Sequence, residues 1–259
     1  MHQTISQPHL TAWDGLRMTL APRPDARWRT WFPWALTGLL LWGIVLVLVG
    51  LKPPVAALIM ILTASPFAIR SILGRAARDG WPITIAATLL VTQTIHTFEH
   101  LVQVVQHWLL GWPTWSSGGV ISPLNAEYVH FAWDVFVMAC IVFLLRTGSL
   151  RGFWAVAVTI WAGAHTTEHV YMLWQYLETQ RQGLPGFLGI GGLLDRSGNP
   201  WLCDLPGLTT VPRVTVHFWW NAGEVALLFP AIAQFGARIT QLPVQMPPSV
   251  SVNQSTKDA

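Results

Sequence analysis

From Trp31 to Leu51 the chain carries no charged residue, and apolar stretches of similar length recur five more times before residue 240. About 20 apolar residues are what a helix needs to cross the hydrocarbon of a bilayer. Within lipid, only helices and closed barrels satisfy every backbone amide and carbonyl. Charged residues make up 10% of the chain, against about 25% in soluble domains, and the apolar runs account for the deficit. The sequence therefore predicts an all-α polytopic membrane protein with six transmembrane helices, at 31–51, 54–73, 82–110, 126–145, 153–176 and 214–235.

The parts between the spans complete the expected organisation. Residues 1–30 form a polar N-terminal segment, 31–80 a transmembrane hairpin, and 81–150 and 151–240 two further pairs of spans. A long loop, 177–213, interrupts the second pair; it reads equally as a lid or as a plain connector. The Pro/Ser/Gln-rich tail at 241–259 has no apolar periodicity and is expected to lack order. Basic residues gather on one side: Arg17, Arg23, Arg27 and Arg29 before the first span, then Arg70, Arg75, Arg78, Arg146, Arg151 and Arg238. Lys52, Arg181, Arg196 and Arg213 fall on the other. The positive-inside rule then places the chain in the cell membrane with both termini cytoplasmic. No single basic face exists for a nucleic-acid partner. Cys140 and Cys203 fall in a span and a loop, so a disulfide between them is not expected.

Two of the spans share a motif. His96-Thr97-Phe98-Glu99-His100 lies in the third and His165-Thr166-Thr167-Glu168-His169 in the fifth. A glutamine follows six residues after each second histidine, at Gln106 and Gln175. The next helix of each pair opens with Val129-His130-Phe131 or Val216-His217-Phe218, and a short polar residue stands four positions on, Asp134 or Asn221. Spans three–four and five–six thus read as a tandem repeat around a four-helix core.

Helical spacing puts the first histidine, the glutamate and the second histidine of each motif towards one side of its helix. His217, Asn221 and Glu224 likewise share a face. Counting about 1.5 Å per residue from the cytoplasmic ends places all six histidines in the outer leaflet. Glu99, Asp134, Glu168 and Glu224 lie at membrane depth with no lysine or arginine beside them. Ionised carboxylates there need protons, histidinium partners or bound cations.

His96, His100, His130, His165, His169, His217, Asp134 and Glu224 are the expected metal ligands. Glu99 and Glu168 are the expected catalytic carboxylates, bridging metals or accepting protons. A single metal with carboxylates orienting the histidines is the variant of the same idea. Imidazole and carboxylate ligands without thiolates point to copper or iron ahead of zinc, with haem the weaker alternative.

The order HxxEH differs from the zincin HExxH, so the metalloprotease base position is not reproduced. The HxxxH pairs resemble those of membrane desaturases and hydroxylases, whose HxxHH boxes are absent here. The expected function is a metal-dependent membrane oxidoreductase acting on a lipid or other lipophilic small molecule, with a possible redox partner. The alternatives are a non-catalytic haem or metal-binding protein serving electron transfer or metal handling, and a zinc-dependent lipid hydrolase. Trp133, Trp219 and Trp220 are expected to wall the site, whereas His107 reads as an interfacial residue.

Overall fold

A computed structural model describes residues 11–20, 38, 42–45, 48–50, 53–120, 126–195 and 205–241. Every regular element among them is a helix: α1 (Ala12–Leu20), α2 (Pro53–Asp79), α3 (Trp81–Trp108), α4 (Glu127–Arg146), α5 (Phe153–Thr179) and α6 (Arg213–Gln241). Most of the expected first span, residues 242–259 of the tail, and Cys203 lie outside the described residues. The helices α2 to α6 begin within a residue or two of the expected spans, and several run further at their C-termini.

Four of the helices close a ring. Helix α3 packs against α4 and α6, and α5 packs against the same two. One half of the ring interior is apolar: Leu89 and Leu90 from α3, Ile141 and Leu144 from α4, Val158 from α5 and Ile232 from α6 belong to one buried cluster. With Ala86, Val137, Ala155, Ala162 and Leu228 of the same cluster they recur at three- and four-residue spacing, which keeps them on one stripe of each helix. The same stripes turn polar towards the C-terminal ends of α3 and α5 and the N-terminal ends of α4 and α6. There Gln93, His100, His130, Asp134, His165, Glu168, His169, His217, Asn221 and Glu224 are all buried. The outer surface carries the opposite character, with Ile95, Phe98, Val135, Ile160 and Trp174 exposed.

Two helical stretches, Ile59–Asp79 and Glu127–Arg146, are long and apolar enough to cross a membrane. Helices α3, α5 and α6 contain 28, 27 and 29 residues, a reach of about 40 Å at 1.5 Å per residue. They have the length, but their inward histidines, glutamines and threonines lower their apolarity below that of α4.

The polar N-terminal segment contains a helix that composition did not announce. Thr11 and Asp14 form a capping box: the Asp14 amide donates to Thr11 Oγ1 at 3.3 Å and the Thr11 amide to Asp14 Oδ2 at 2.9 Å. The Thr11 hydroxyl also donates to that carboxylate and holds Asp14 below the usual carboxylate range. Helix α1 then lies on α6 at a glycine–glycine crossing. A Cβ on Gly236 would fall 1.9 Å from the Gly15 carbonyl oxygen, so only glycine permits this approach. Leu16 and Thr19 are buried in the contact, and Arg75 of α2 donates to the Thr19 carbonyl.

Candidate metal centre

Each HxxEH segment sits in the middle of a helix, where the i,i+4 relation brings its two imidazoles together. His96 and His100 meet Nε2 to Nε2 at 3.2 Å, and His165 and His169 do the same at 3.2 Å. Two nitrogens bound to one tetrahedral ion at about 2.0–2.1 Å stand roughly 3.3 Å apart, so both pairs already have the bite of a chelate.

Helices α4 and α6 supply the rest. His130 enters from α4 with its ring 5.5 Å from His96, 5.4 Å from His100 and 5.3 Å from His169, stacked on the last. His217 enters from α6, 5.6 Å from His100 and 5.0 Å from His169. The six imidazoles form one continuous cluster. Within it, two sets of three ligand atoms each lie within 4.8 Å of one another: His96, His100 and His130, and Asp134, His165 and His169. Asp134 Oδ2 is 3.3 Å from His169 Nε2, and Glu224 Oε2 is 3.5 Å from His165 Nδ1.

Hydrogen bonds orient several rings. Gln103 Oε1 accepts from His100 Nδ1 at 2.9 Å, and the Arg213 carbonyl accepts from His217 Nδ1 at 3.2 Å. With the proton on Nδ1, each of these neutral rings turns an Nε2 lone pair into the cluster, the arrangement metal-binding histidines use. Both nitrogens of His130, Nε2 of His217, Nδ1 of His169 and Oδ2 of Asp134 are buried without a hydrogen-bond partner. Orphaned atoms of this kind are costly in an interior. A cation fits them: every one is a lone-pair donor or can become one by losing a proton.

A second polar layer ties the two sides together. Gln93 Nε2 donates to Asn221 Oδ1 at 2.9 Å and to Glu224 Oε2, while Gln93 Oε1 accepts from Trp133 Nε1 at 2.9 Å. Trp133 also packs on His96 at 5.1 Å, and Trp220 stacks on His165 at 5.4 Å. The third expected wall, Trp219, is 55% exposed and faces away. Thr97, Thr166 and Thr167 donate to carbonyls one turn back on their own helices. His107 bonds the Trp112 carbonyl at 2.8 Å, away from the cluster.

Glu99 and Glu168 are not members of either three-ligand set; Asp134 is. Instead each meets a loop glycine. A Cβ on Gly119 would come within 2.3 Å of Glu99 Oε1, and one on Gly186 within 2.1 Å of Glu168 Oε1. Glu99 is half-buried and Glu168 fully buried. The glutamines behind them hold the same loops: Gln106 Nε2 donates to the Gly119 carbonyl and Gln175 Nε2 to that of Pro185, both at 3.1 Å.

The described part of the 177–213 loop is a hydrogen-bonded roof. Gly189 and Ile190 amides bond the Leu208 and Val211 carbonyls at 2.8 and 3.0 Å, and Leu194 bonds Phe187 at 2.8 Å. Its anchor is an ion pair that sequence reasoning missed. Arg213 grips buried Glu127 through both nitrogens, at 2.6 and 2.8 Å, and the Gly183 amide donates to the same carboxylate at 3.1 Å. Arg213 had counted only as a loop charge; nothing local marks its partner.

No family model, no curated protein and no solved structure matches the chain.

Proposed function

We propose that this chain is an integral membrane metalloprotein, an oxidoreductase whose histidine–carboxylate centre acts on a lipid or other lipophilic small molecule. The observation that carries the metal reading is the pair of HxxxH chelates, each with ring nitrogens at 3.2 Å, joined by His130, His217 and Asp134 into one buried cluster. A purely structural polar network would be expected to satisfy its own hydrogen bonds, and among the described residues this one leaves eight imidazole and carboxylate atoms on six residues without one.

The six-span topology is part of the proposal. Its support is the distribution over the α3–α6 ring, with buried polar groups in one half of the interior and large apolar side chains exposed outside, which suits lipid better than water. The tandem origin of α3–α4 and α5–α6 is supported by the paired details: chelate, glutamate under a loop glycine, and glutamine on the loop. With the site at the loop end, the positive-inside bias assigns it to the outer leaflet and both termini to the cytoplasm.

A lipophilic substrate is favoured by where the site comes nearest the surface. His96 is the one member of the two three-ligand sets that is not fully buried, and it lies beside α4, the ring neighbour that α3 touches least. Haem is disfavoured because imidazoles from the opposite helices α4 and α6 already stand close, at 5.9 Å for His130 and His217, which leaves no slot for a macrocycle. When bound, a copper or iron ion would supply one-electron chemistry. The protein's part is to hold the ion through neutral imidazoles, offset its charge with Asp134 and Glu224, and keep water out.

Metal quantitation and a visible spectrum of the reduced, detergent-purified protein test the first claim. Bound transition metal with no Soret band is expected; metal-free protein would end the metalloprotein reading. For the catalytic claim, lipid vesicles carrying the metal-loaded protein are compared by mass spectrometry with vesicles carrying His130→Ala. Identical lipid profiles would leave a binding protein and no enzyme.

A further inference from the structure

We infer that the cluster holds two chemically unlike cation sites, an all-imidazole site between α3 and α4 and a carboxylate-bearing site between α4, α5 and α6. This rests on the metal-binding reading above and goes beyond it in number and kind. The first set, His96, His100 and His130, contains no acid; the second joins Asp134 to His165 and His169.

The asymmetry originates in one pair of positions. Four residues after its histidine, α4 carries Asp134 and α6 carries Asn221. The Asn221 side chain is committed elsewhere. Its Nδ2 donates to the His217 carbonyl at 2.9 Å and its Oδ1 accepts from Gln93 at 2.9 Å. Glu224, one turn further along α6, faces His165 Nδ1 at 3.5 Å. Both carboxylates therefore stand beside His165, at 3.9 Å for Asp134 and 3.5 Å for Glu224, and neither enters the first set.

His217 sharpens the difference. Its Nδ1 is bonded to the Arg213 carbonyl, so it has a single nitrogen, Nε2, to give. That nitrogen completes one coordination shell and not both.

The charge consequence follows directly. Two carboxylates offset a divalent ion at the second site, whereas three neutral imidazoles leave the first ion's charge to the buried surroundings, at a cost. The first site therefore suits ions that bind neutral nitrogen tightly, zinc and copper. The second also accepts harder, oxygen-preferring ions such as manganese and ferrous iron.

The test uses the full-length chain in detergent micelles, stripped with a chelator and dialysed to equilibrium against zinc alone or manganese alone. The expected result is two equivalents of zinc and one of manganese. Asp134→Asn should weaken manganese binding by roughly 10–100-fold or more and leave the first zinc in place. His100→Ala should remove one zinc and leave manganese unchanged. Equal stoichiometry for the two ions in the unaltered protein, or manganese lost equally with either substitution, would overturn the inference while leaving a metalloprotein. Failure to bind zinc at all would remove the metal reading itself. The unaltered chain decides the stoichiometry without depending on how either variant folds.

Discussion

The two halves of the α3–α6 ring are made from the same four helices and opposite materials. Around Leu89, Ile141, Val158 and Ile232 the interior is apolar and close-packed. A few turns away it is filled by imidazoles, carboxylates and amides, several with no partner. Burial of the first kind stabilises, whereas burial of orphaned polar atoms costs free energy. The apolar half thus acts as the scaffold, and the polar half is held in a geometry it would not choose alone. Stability and site chemistry are separated along the helix axes.

That division can be broken or refined by substitution. The largest effect is expected from Ile232→Ala in the apolar half, a loss of about 2–5 kcal/mol in denaturant unfolding of the micellar protein. Metal stoichiometry of the folded fraction should stay unchanged; a matching loss of metal would mean that the halves are not separable. Next comes Glu127→Gln, which leaves Arg213 without its buried partner. The expected cost is about 3 kcal/mol, the low end for a broken buried pair because Arg213 is partly exposed. Hydrogen exchange should quicken across 181–195 and spare the apolar half.

His130→Leu should act in the opposite direction. Removing two orphaned nitrogens is expected to raise the unfolding free energy of metal-stripped protein by about 1–3 kcal/mol while zinc binding weakens. A destabilised metal-free variant would show that His130 is satisfied in solution. A smaller change is predicted for Gln103→Leu, which frees His100 from its 2.9 Å tether and should weaken zinc binding roughly tenfold. The least is expected of Gly236→Ala, read by limited proteolysis. Its Cβ would collide with the Gly15 carbonyl, so α1 should become cleavable with metal binding intact.

What could be read in the chain beforehand follows the range of the interactions. The helices and the HxxxH chelates depend on neighbours four residues apart, and both were legible. His130 and His217 were legible because the paired motifs pointed to them. Gln93 was not, since its partners Asn221 and Glu224 are 128 and 131 residues away. The Glu127–Arg213 pair, 86 residues apart, was hidden for the same reason.

Glu99 and Glu168 show a subtler limit. At 100° per residue a glutamate three places after the first histidine sits on the edge of the inward stripe. Loop glycines meet both carboxylates at that edge, Gly119 at Glu99 and Gly186 at Glu168, and of the four carboxylates only Asp134 joins a three-ligand set. Helix α1 escaped notice because its nine residues are stabilised by a crossing on α6 rather than by their own apolarity. The six spans were read from apolar length, and the polar stripe of α3, α5 and α6 is what blunts that signal.

The Arg213–Glu127 clasp has a consequence for timing. An ion held beneath a roof tied by that pair and by the Gly183 amide would exchange with the medium more slowly while the clasp holds. Its residence would depend on how often the roof opens as well as on the strength of the imidazole bonds. Loading would then be easiest before the roof docks, and release of a bound ion to a chelator is expected to be slow. Loosening the clasp with Glu127→Gln should speed that release without altering a single ligand.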